Sequence, residues 1–421
     1  MNSHRGAGGV LCNWMTGSVI CTWLMLLALA DVALAQNGSP AVSSRAEEIQ
    51  AERAQKANNL EPERLTPAEQ RLKKAKSIAE TLLQRHNPHV QLGGLPTGSG
   101  MAAGPVFHWT NAPDDIRGRV YGIGSVYQYY LAGAGLTFPN LGSGSISLTL
   151  DGAHADSPRL DYYGSGPDSL KSNRTDYRQE DTTAEAQIRW DVWRNRVVMG
   201  AQAGAQLTNV GPGTQDGIAS TAVVFTPAQA PGVDIQTNYF TSGYSVDFDF
   251  RDFSGDPHKG GRLFLGYNRY VDYKRDRFSF DYVVADAQYY IPFFNKKRVV
   301  ALRARTELTH AGSGQVVPFY MQPVLGRNGD FRGFRPYRFR DNNLLLMNAE
   351  YRWEVSTGFD MALFGDVGRV FDHSRQMNLS NLEHAVGFGF RFKDRERVVM
   401  RVDTGFSREG FQVWVKFDNV F

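Results

Sequence analysis

The chain has 421 residues, with 46 Lys and Arg against 43 Asp and Glu, and its formal net charge of +3 is too weak to suggest a nucleic-acid partner. Hydrophobic residues make up only 42% of it, yet 12% are aromatic and 43 are glycine, a mixture expected of alternating strands with aromatic belts and polar interior positions. No window approaches 18 uninterrupted apolar residues, which excludes helical membrane spans.

Arg5 precedes an apolar stretch from Val19 through Ala30, and Ala33-Leu34-Ala35 follows as a small-residue cleavage signal before Gln36. This order predicts a secretory signal peptide over residues 1–35. A transmembrane anchor is the competing reading. Asp31 and the short apolar core argue against it, since a spanning helix wants about 20 apolar residues. Both cysteines, Cys12 and Cys21, lie in this segment, so the exported chain is expected to draw no stability from disulfides.

Residues 36–95 read as a periplasmic helical extension and linker. Ala46 through Leu60 is rich in good helix formers with little apolar content. Thr66-Pro67-Ala68-Glu69 predicts a second helix start, with a hydroxyl N-cap, a proline at the first helical position and a glutamate at the third. Asn87-Pro88 is expected to end that helix, and Gly93-Gly94-Leu95-Pro96 reads as the linker. His86 and His89 straddle the helix end without a further clustered ligand, so they read as solvated histidines rather than a metal pair.

From about residue 100 the period changes to two. Leu302, Ala304, Thr306 and Leu308 alternate with Arg303, Arg305, Glu307 and Thr309. Met347, Ala349, Tyr351, Trp353 and Val355 alternate with Asn348, Glu350, Arg352 and Glu354, and Phe388, Phe390 and Phe392 with Gly387, Gly389 and Arg391. One face of each strand suits lipid, while the other carries charges that hydrocarbon would not tolerate and a wet interior would. About 320 residues at about 20 per strand and turn predict about 16 strands. The fold class is therefore all-β: an antiparallel transmembrane β-barrel over residues 96–421. A soluble sandwich or propeller competes, but no regular blade motif repeats.

At the carboxy-terminal end, Phe411, Val413, Val415 and Phe417 share one face against Gln412, Lys416 and Asp418. An apolar strand ending on Phe421 would invite aggregation in a soluble domain. It is expected of a barrel-closing strand whose outer face meets acyl chains.

Between strands ending near Ala311 and beginning near Leu344 runs a long connection in which aromatic residues alternate with arginines. Phe319, Tyr320, Phe331, Phe334, Tyr337 and Phe339 stand beside Arg327, Arg332, Arg335, Arg338 and Arg340. Such a loop is expected to pack inside something and to find acidic partners there. Within it, Phe331-Arg332-Gly333-Phe334 resembles the Arg-Gly-aromatic motif of the bacterial surface antigen family, the barrel domain of BamA/TamA-type outer-membrane assembly proteins. The stretch from Leu363 to Phe371, with Phe364, Asp366 and Gly368, is similar to that family's Phe-x-Asp-x-Gly strand, and Arg401 to Gly410 resembles its approach to the last strand. Asp249-Phe250-Arg251-Asp252 with Pro257 and Gly260-Gly261 is a looser match.

Period two puts Phe364, Asp366 and Gly368 on one face of their strand, and a carboxylate does not face lipid cheaply. Asp366 is therefore expected to point into the lumen, with Arg332 as its counter-ion in a bidentate pair. Glu350 reaches the lumen by its own alternation as a second acidic partner. Gly333 would permit the tight turn at the loop tip, and Phe334 would wedge against the wall. The resemblance implies the same pairing as a lock on an inward-folded loop.

No Gly-x-Ser-x-Gly elbow occurs, and His384, Asp372, Ser374 and Ser380 read as loop residues rather than a catalytic group. No catalytic residue, metal site or cofactor is expected. The resemblance implies a barrel that inserts or exports polypeptides, or lipids, at the bacterial outer membrane. Its implied partners are outer-membrane lipid and lipopolysaccharide, client polypeptides and a separate periplasmic partner. That last partner is expected because Gln36–Leu95 is shorter than one POTRA module and reads as helix without strands. The alternative is a passive pore or structural surface barrel plugged by the loop. Gly387, Gly389, Gly405 and Gly410 would favour insertion if they weakened the seam between first and last strands.

Overall fold

Apolar–polar alternation along the chain is realised as one long antiparallel meander. The structure is a computed structural model; it describes residues 87–421 except 112–114, 143, 395–396 and 418–420. The expected signal peptide and both expected helices lie outside the described residues. The strands are β1 His89–Leu92, β2 Ala102–Asn111, β3 Ile116–Ser125, β4 Tyr130–Leu141, β5 Ile146–Tyr162 and β6 Thr175–Trp193. They continue as β7 Val197–Pro212, β8 Thr237–Asp249, β9 Gly260–Asp272, β10 Phe280–Phe293, β11 Arg298–Ala311, β12 Val324–Leu325 and β13 Phe339–Arg340. The last five are β14 Asn343–Ser356, β15 Phe359–Phe371, β16 Glu383–Asp394, β17 Arg397–Ser407 and β18 Gly410–Lys416.

Sixteen of these form a single sheet in sequence order, with only the short β12–β13 pair set apart. Hairpin geometry explains the order, because each strand can pair with its immediate successor through a local turn. At β6–β7 the turn residues Arg194 and Asn195 both take positive φ, 46° and 57°, the backbone whose twist matches the flanking strands. The sheet rolls into a barrel whose first and last strands come together. Lys416 Nζ, at the end of β18, donates to Thr97 Oγ1 just past β1 at 2.9 Å.

The two faces separate as the alternation predicts. Outward residues such as Leu150, Ile188, Trp190, Tyr244, Leu302, Leu363, Val386 and Phe411 are exposed. An apolar belt of that extent calls for a lipid cover. Inward residues such as Asp286, Arg303, Asn348, Glu350, Arg352, Asp366, Arg391 and Asp403 are buried against one another and against the long β11–β14 connection.

Two boundaries differ from the sequence reading. The sheet begins at His89, inside the segment assigned to the helical extension, because β1 pairs with β2 from His89↔Val106 to Leu92↔Ala103. His89 stacks on His108 with ring centroids 5.2 Å apart, so it is a wall residue and not the solvated end of a helix. Gly93 to Pro96 thus belongs to the β1–β2 connection.

The other difference is at the last strand. Phe411, Val413 and Val415 do face outward and are more than half exposed (63%, 56% and 54%). β18 nevertheless stops at Lys416, so Phe417 lies beyond it. Phe421 is buried with Tyr290, Val299 and Ala301 instead of facing lipid. The guanidinium carbons of Arg303 and Arg352 lie 5.8 and 5.5 Å from its ring centroid. An apolar wall flanked by two cations offers an aromatic ring both burial and cation–π contact, which the local alternation could not reveal.

Candidate functional site: the inward loop and its latch

The connection 312–342 turns into the barrel and crosses it. Two forces direct it. Its aromatic residues are too apolar to remain in water, and its arginines meet a wall whose inward positions are acidic. Phe331, Phe334 and Phe339 pack with Leu325, Leu344, Leu346, Val370 and Ala385 in one buried cluster. Phe331 and Phe334 stack with centroids 4.9 Å apart.

At the tip, the Arg332 side chain is 0% exposed. Its Nε donates to Asp366 Oδ2 at 2.9 Å and its Nη2 to Asp366 Oδ1 at 2.7 Å, a planar fork on a planar carboxylate. Its backbone N–H reaches Asp366 Oδ2 at 3.1 Å, and Nη1 donates to Glu350 Oε2 at 2.6 Å. Beneath the fork the Phe364 ring centroid lies 3.4 Å from the guanidinium carbon. Lysine, a point charge on a flexible stem, could not reproduce this set.

The wall supplies further groups. Asn348 Nδ2 donates to Asp366 Oδ1 at 2.8 Å and to the Asp330 carbonyl at 2.7 Å. Glu350 also accepts from Arg352 Nε at 2.8 Å and from Arg391 Nη2 at 2.9 Å, while Arg391 Nη1 holds Asp403 at 2.5 Å. One loop cation is thus set into an alternating lattice of buried charges. A second ion pair runs in the opposite sense: the loop's Asp330 accepts from the wall's Arg303 Nη1 at 3.0 Å, and Arg303 Nη2 holds Asp286 at 2.6 Å.

Close approach of backbone to wall is possible only because glycines meet there. A Cβ on Gly333 would lie 2.4 Å from Ala385 Cβ and 3.0 Å from the Phe406 carbonyl oxygen. One on Gly405 would lie 2.4 Å from the Arg332 carbonyl oxygen. Gly405, with Gly387, therefore makes room for the loop tip and Phe364. Gly368 faces Leu325 of the loop. Trp414 Nε1 donates to the Arg332 carbonyl at 2.8 Å, and Ser407 Oγ to the Gly333 carbonyl at 2.7 Å.

Higher in the lumen, Arg340 Nη1 donates to the Phe319 carbonyl and Nη2 to Tyr177 Oη, both at 2.9 Å. At the rim, Arg338 Nε holds Glu409 at 2.8 Å, and Nη2 donates to the Ser169 carbonyl at 2.6 Å. Near the loop's return to β14, burial pushes the Asp341 carboxyl up to about 6, with the Asp372 charge adding to the rise.

The structure brings Arg332, Gly333, Phe334, Glu350, Phe364, Asp366 and Gly368 into one site. It does not gather His384, Asp372, Ser374 and Ser380: His384 is an exposed residue opposite Val367 on the outer side of β16. Sequence reasoning missed Asp330, Arg303, Asn348, Arg391 and Asp403 as members. All but Asp330 stand at inward positions of alternating strands, which marked their side but not their partners.

A sixteen-stranded antiparallel barrel with a basic loop tip seated on inward carboxylates defines a class, the outer-membrane barrels that hold an inward-folded loop. A family model described as the Omp85 superfamily domain matches residues 141–394, and the chain belongs to that superfamily. Among solved structures, it is similar to BamA from Haemophilus ducreyi lacking POTRA domains 1–3, at 13% identity and a TM-score of 0.58. That alignment covers 81% of this chain and 77% of the other. CdiB from Escherichia coli aligns at 13% identity and a TM-score of 0.47, over 82% of this chain and 68% of that one. No curated protein sequence matches the chain.

Proposed function

We propose that this barrel resides in the bacterial outer membrane and helps other polypeptides, or lipids, enter or cross it, without catalysis and without a cofactor. The observation that carries this reading is the seam. β1 is four residues long and β18 seven, whereas β5 and β6 pair along most of their 17 and 19 residues. Among the described residues no backbone ladder joins β1 to β18; the side-chain bond from Lys416 to Thr97 bridges them.

Unpaired strand edges are templates for another strand. The β1–β2 ladder is short as well, running only from His89↔Val106 to Leu92↔Ala103. A client strand could add at this short seam while the latched loop keeps the lumen filled. Lipid and lipopolysaccharide would cover the outer belt, and a separate periplasmic partner would deliver clients.

The test is reconstitution of the exported chain into liposomes, followed by addition of an unfolded barrel protein. Faster insertion of the client than into empty liposomes is the expected result. Ion flux with no gain in client insertion would replace this reading with that of a plugged pore.

A further inference from the structure

The connection between β8 and β9, residues 250–259, stands apart from the other turns at its end of the barrel. Its neighbours there are tight: 194–196, 294–297 and 357–358. This one leaves the wall through a two-bond neck, Phe250 N–H to the Gly261 carbonyl at 2.9 Å and Asp252 N–H to the Lys259 carbonyl at 3.0 Å. Asp252 Oδ1 then accepts the N–H groups of Phe253, His258 and Lys259 at 3.1, 2.9 and 3.0 Å, which sets the shape of the loop.

Its tip is bonded to a distant part of the wall. Asp256 is 3% exposed and holds Lys393 Nζ of β16 at 3.0 Å. The same ammonium holds Asp360 of β15 at 2.7 Å. The Gly255 carbonyl accepts the Val398 N–H of β17 at 3.3 Å. In the sheet, β10, β11, β14 and β15 lie between β9 and β16. Five inter-strand steps make roughly 24 Å of wall. A ten-residue connection that goes out and returns reaches only about 17 Å. The Asp256 and Lys393 side chains span the remainder, and Lys393 and Asp360 are buried on the inward faces of their strands, so the contact lies within the lumen.

The bond is polar and imperfectly matched. One lysine sits between two buried carboxylates, and Asp360 Oδ1 has no hydrogen-bond partner. Apolar packing would hold such a strap more firmly, because two buried charges give back much of their attraction in lost hydration. A charged pin suits a contact that has to let go.

We infer that residues 250–259 form a removable bar across the short-turn mouth of the lumen, pinned by Lys393, and that unpinning it opens the lumen from that side while the Arg332 latch stays fastened. The inference concerns the opposite end of the lumen from the long loops and does not depend on what the barrel transports.

The test uses a lumen cysteine. Gln202 faces the interior, where its Nε2 donates to Asn268 Oδ1 at 2.8 Å. In a C12S/C21S background, Q202C is labelled with a membrane-impermeant thiol reagent confined to the short-turn side of oriented proteoliposomes. K393M and D256N should each raise the labelling rate by about tenfold or more, as loss of a charge-assisted bond implies. A second protein, Q202C/G255C/V398C/K393M in the same background, carries the G255C–V398C cross-link, and labelling is read only on the peptide bearing Q202C; reduction should accelerate it and oxidation should slow it. Heat-modifiable gel mobility and protease protection of the β11–β14 loop show that each sample is folded and latched. Equal labelling rates in the folded parent, K393M and D256N overturn the inference. So does a cross-linked sample that labels as fast as its reduced form, a comparison that needs no new fold.

Discussion

Arg332→Ala removes the group on which the inward loop turns. Asp366 would lose the bonds from Nε and Nη2, keeping only Asn348 and whatever remains of the Arg332 backbone contact. Glu350 would keep Arg352 and Arg391, so its loss is smaller. Asp366 is 0% exposed, and water cannot replace the missing donors without displacing the tip. Breaking a buried pair in this way costs about 3–5 kcal/mol. At 1.36 kcal/mol per decade, the undocked loop should gain roughly a hundred- to several-thousand-fold in population.

The assay is hydrogen exchange at residues 326–340, with tryptic cleavage of the same segment, on protein that retains heat-modifiable mobility. The double variant R332A/D366A should fall short of the summed single losses, because it no longer leaves a buried carboxylate unpaired. Wild-type exchange and cleavage in R332A would refute the latch.

Two further outcomes follow from the same geometry. Gly333→Ala would bring a methyl group to 2.4 Å from Ala385 Cβ, and overpacking of this kind costs about 1–3 kcal/mol; hydrogen exchange at the tip should rise and A385G should recover part of the loss. Asp341 is raised from 3.8 to about 6, so its ionised form is the disfavoured one: its contribution is intact below pH 3.8 and is lost as pH rises through about 6. Loop protection measured by exchange should accordingly be greater at pH 5 than at pH 7.5, by about 1.4 kcal/mol, and Asp341→Asn should flatten that difference.

Much of the wall was legible because strand alternation is a local property. A residue's side follows from its neighbours two positions away, so Asp366, Glu350 and Phe364 can be assigned inward from the sequence, and Leu363, Val386 and Phe411 outward. The strand number followed from length divided by a bilayer's thickness. The long loop betrayed its inward course by composition, since arginines mixed with phenylalanines belong neither in water nor in lipid.

What only the tertiary structure decided was contact across the lumen. Which inward residue meets which depends on how sixteen strands curl and close, and no local period encodes that. Asp256 reaching Lys393 and Phe421 reaching Tyr290 join parts of the chain separated by several strands of wall, and Asp330 reaching Arg303 folds the loop back onto the strand it leaves. The glycines at 387 and 405 could be read only once the loop lay against them. The amino acids by themselves determined an alternating, lipid-facing wall with a charged interior, and the rolled sheet determined the partners of those charges, because the sheet's curvature sets every distance across the interior.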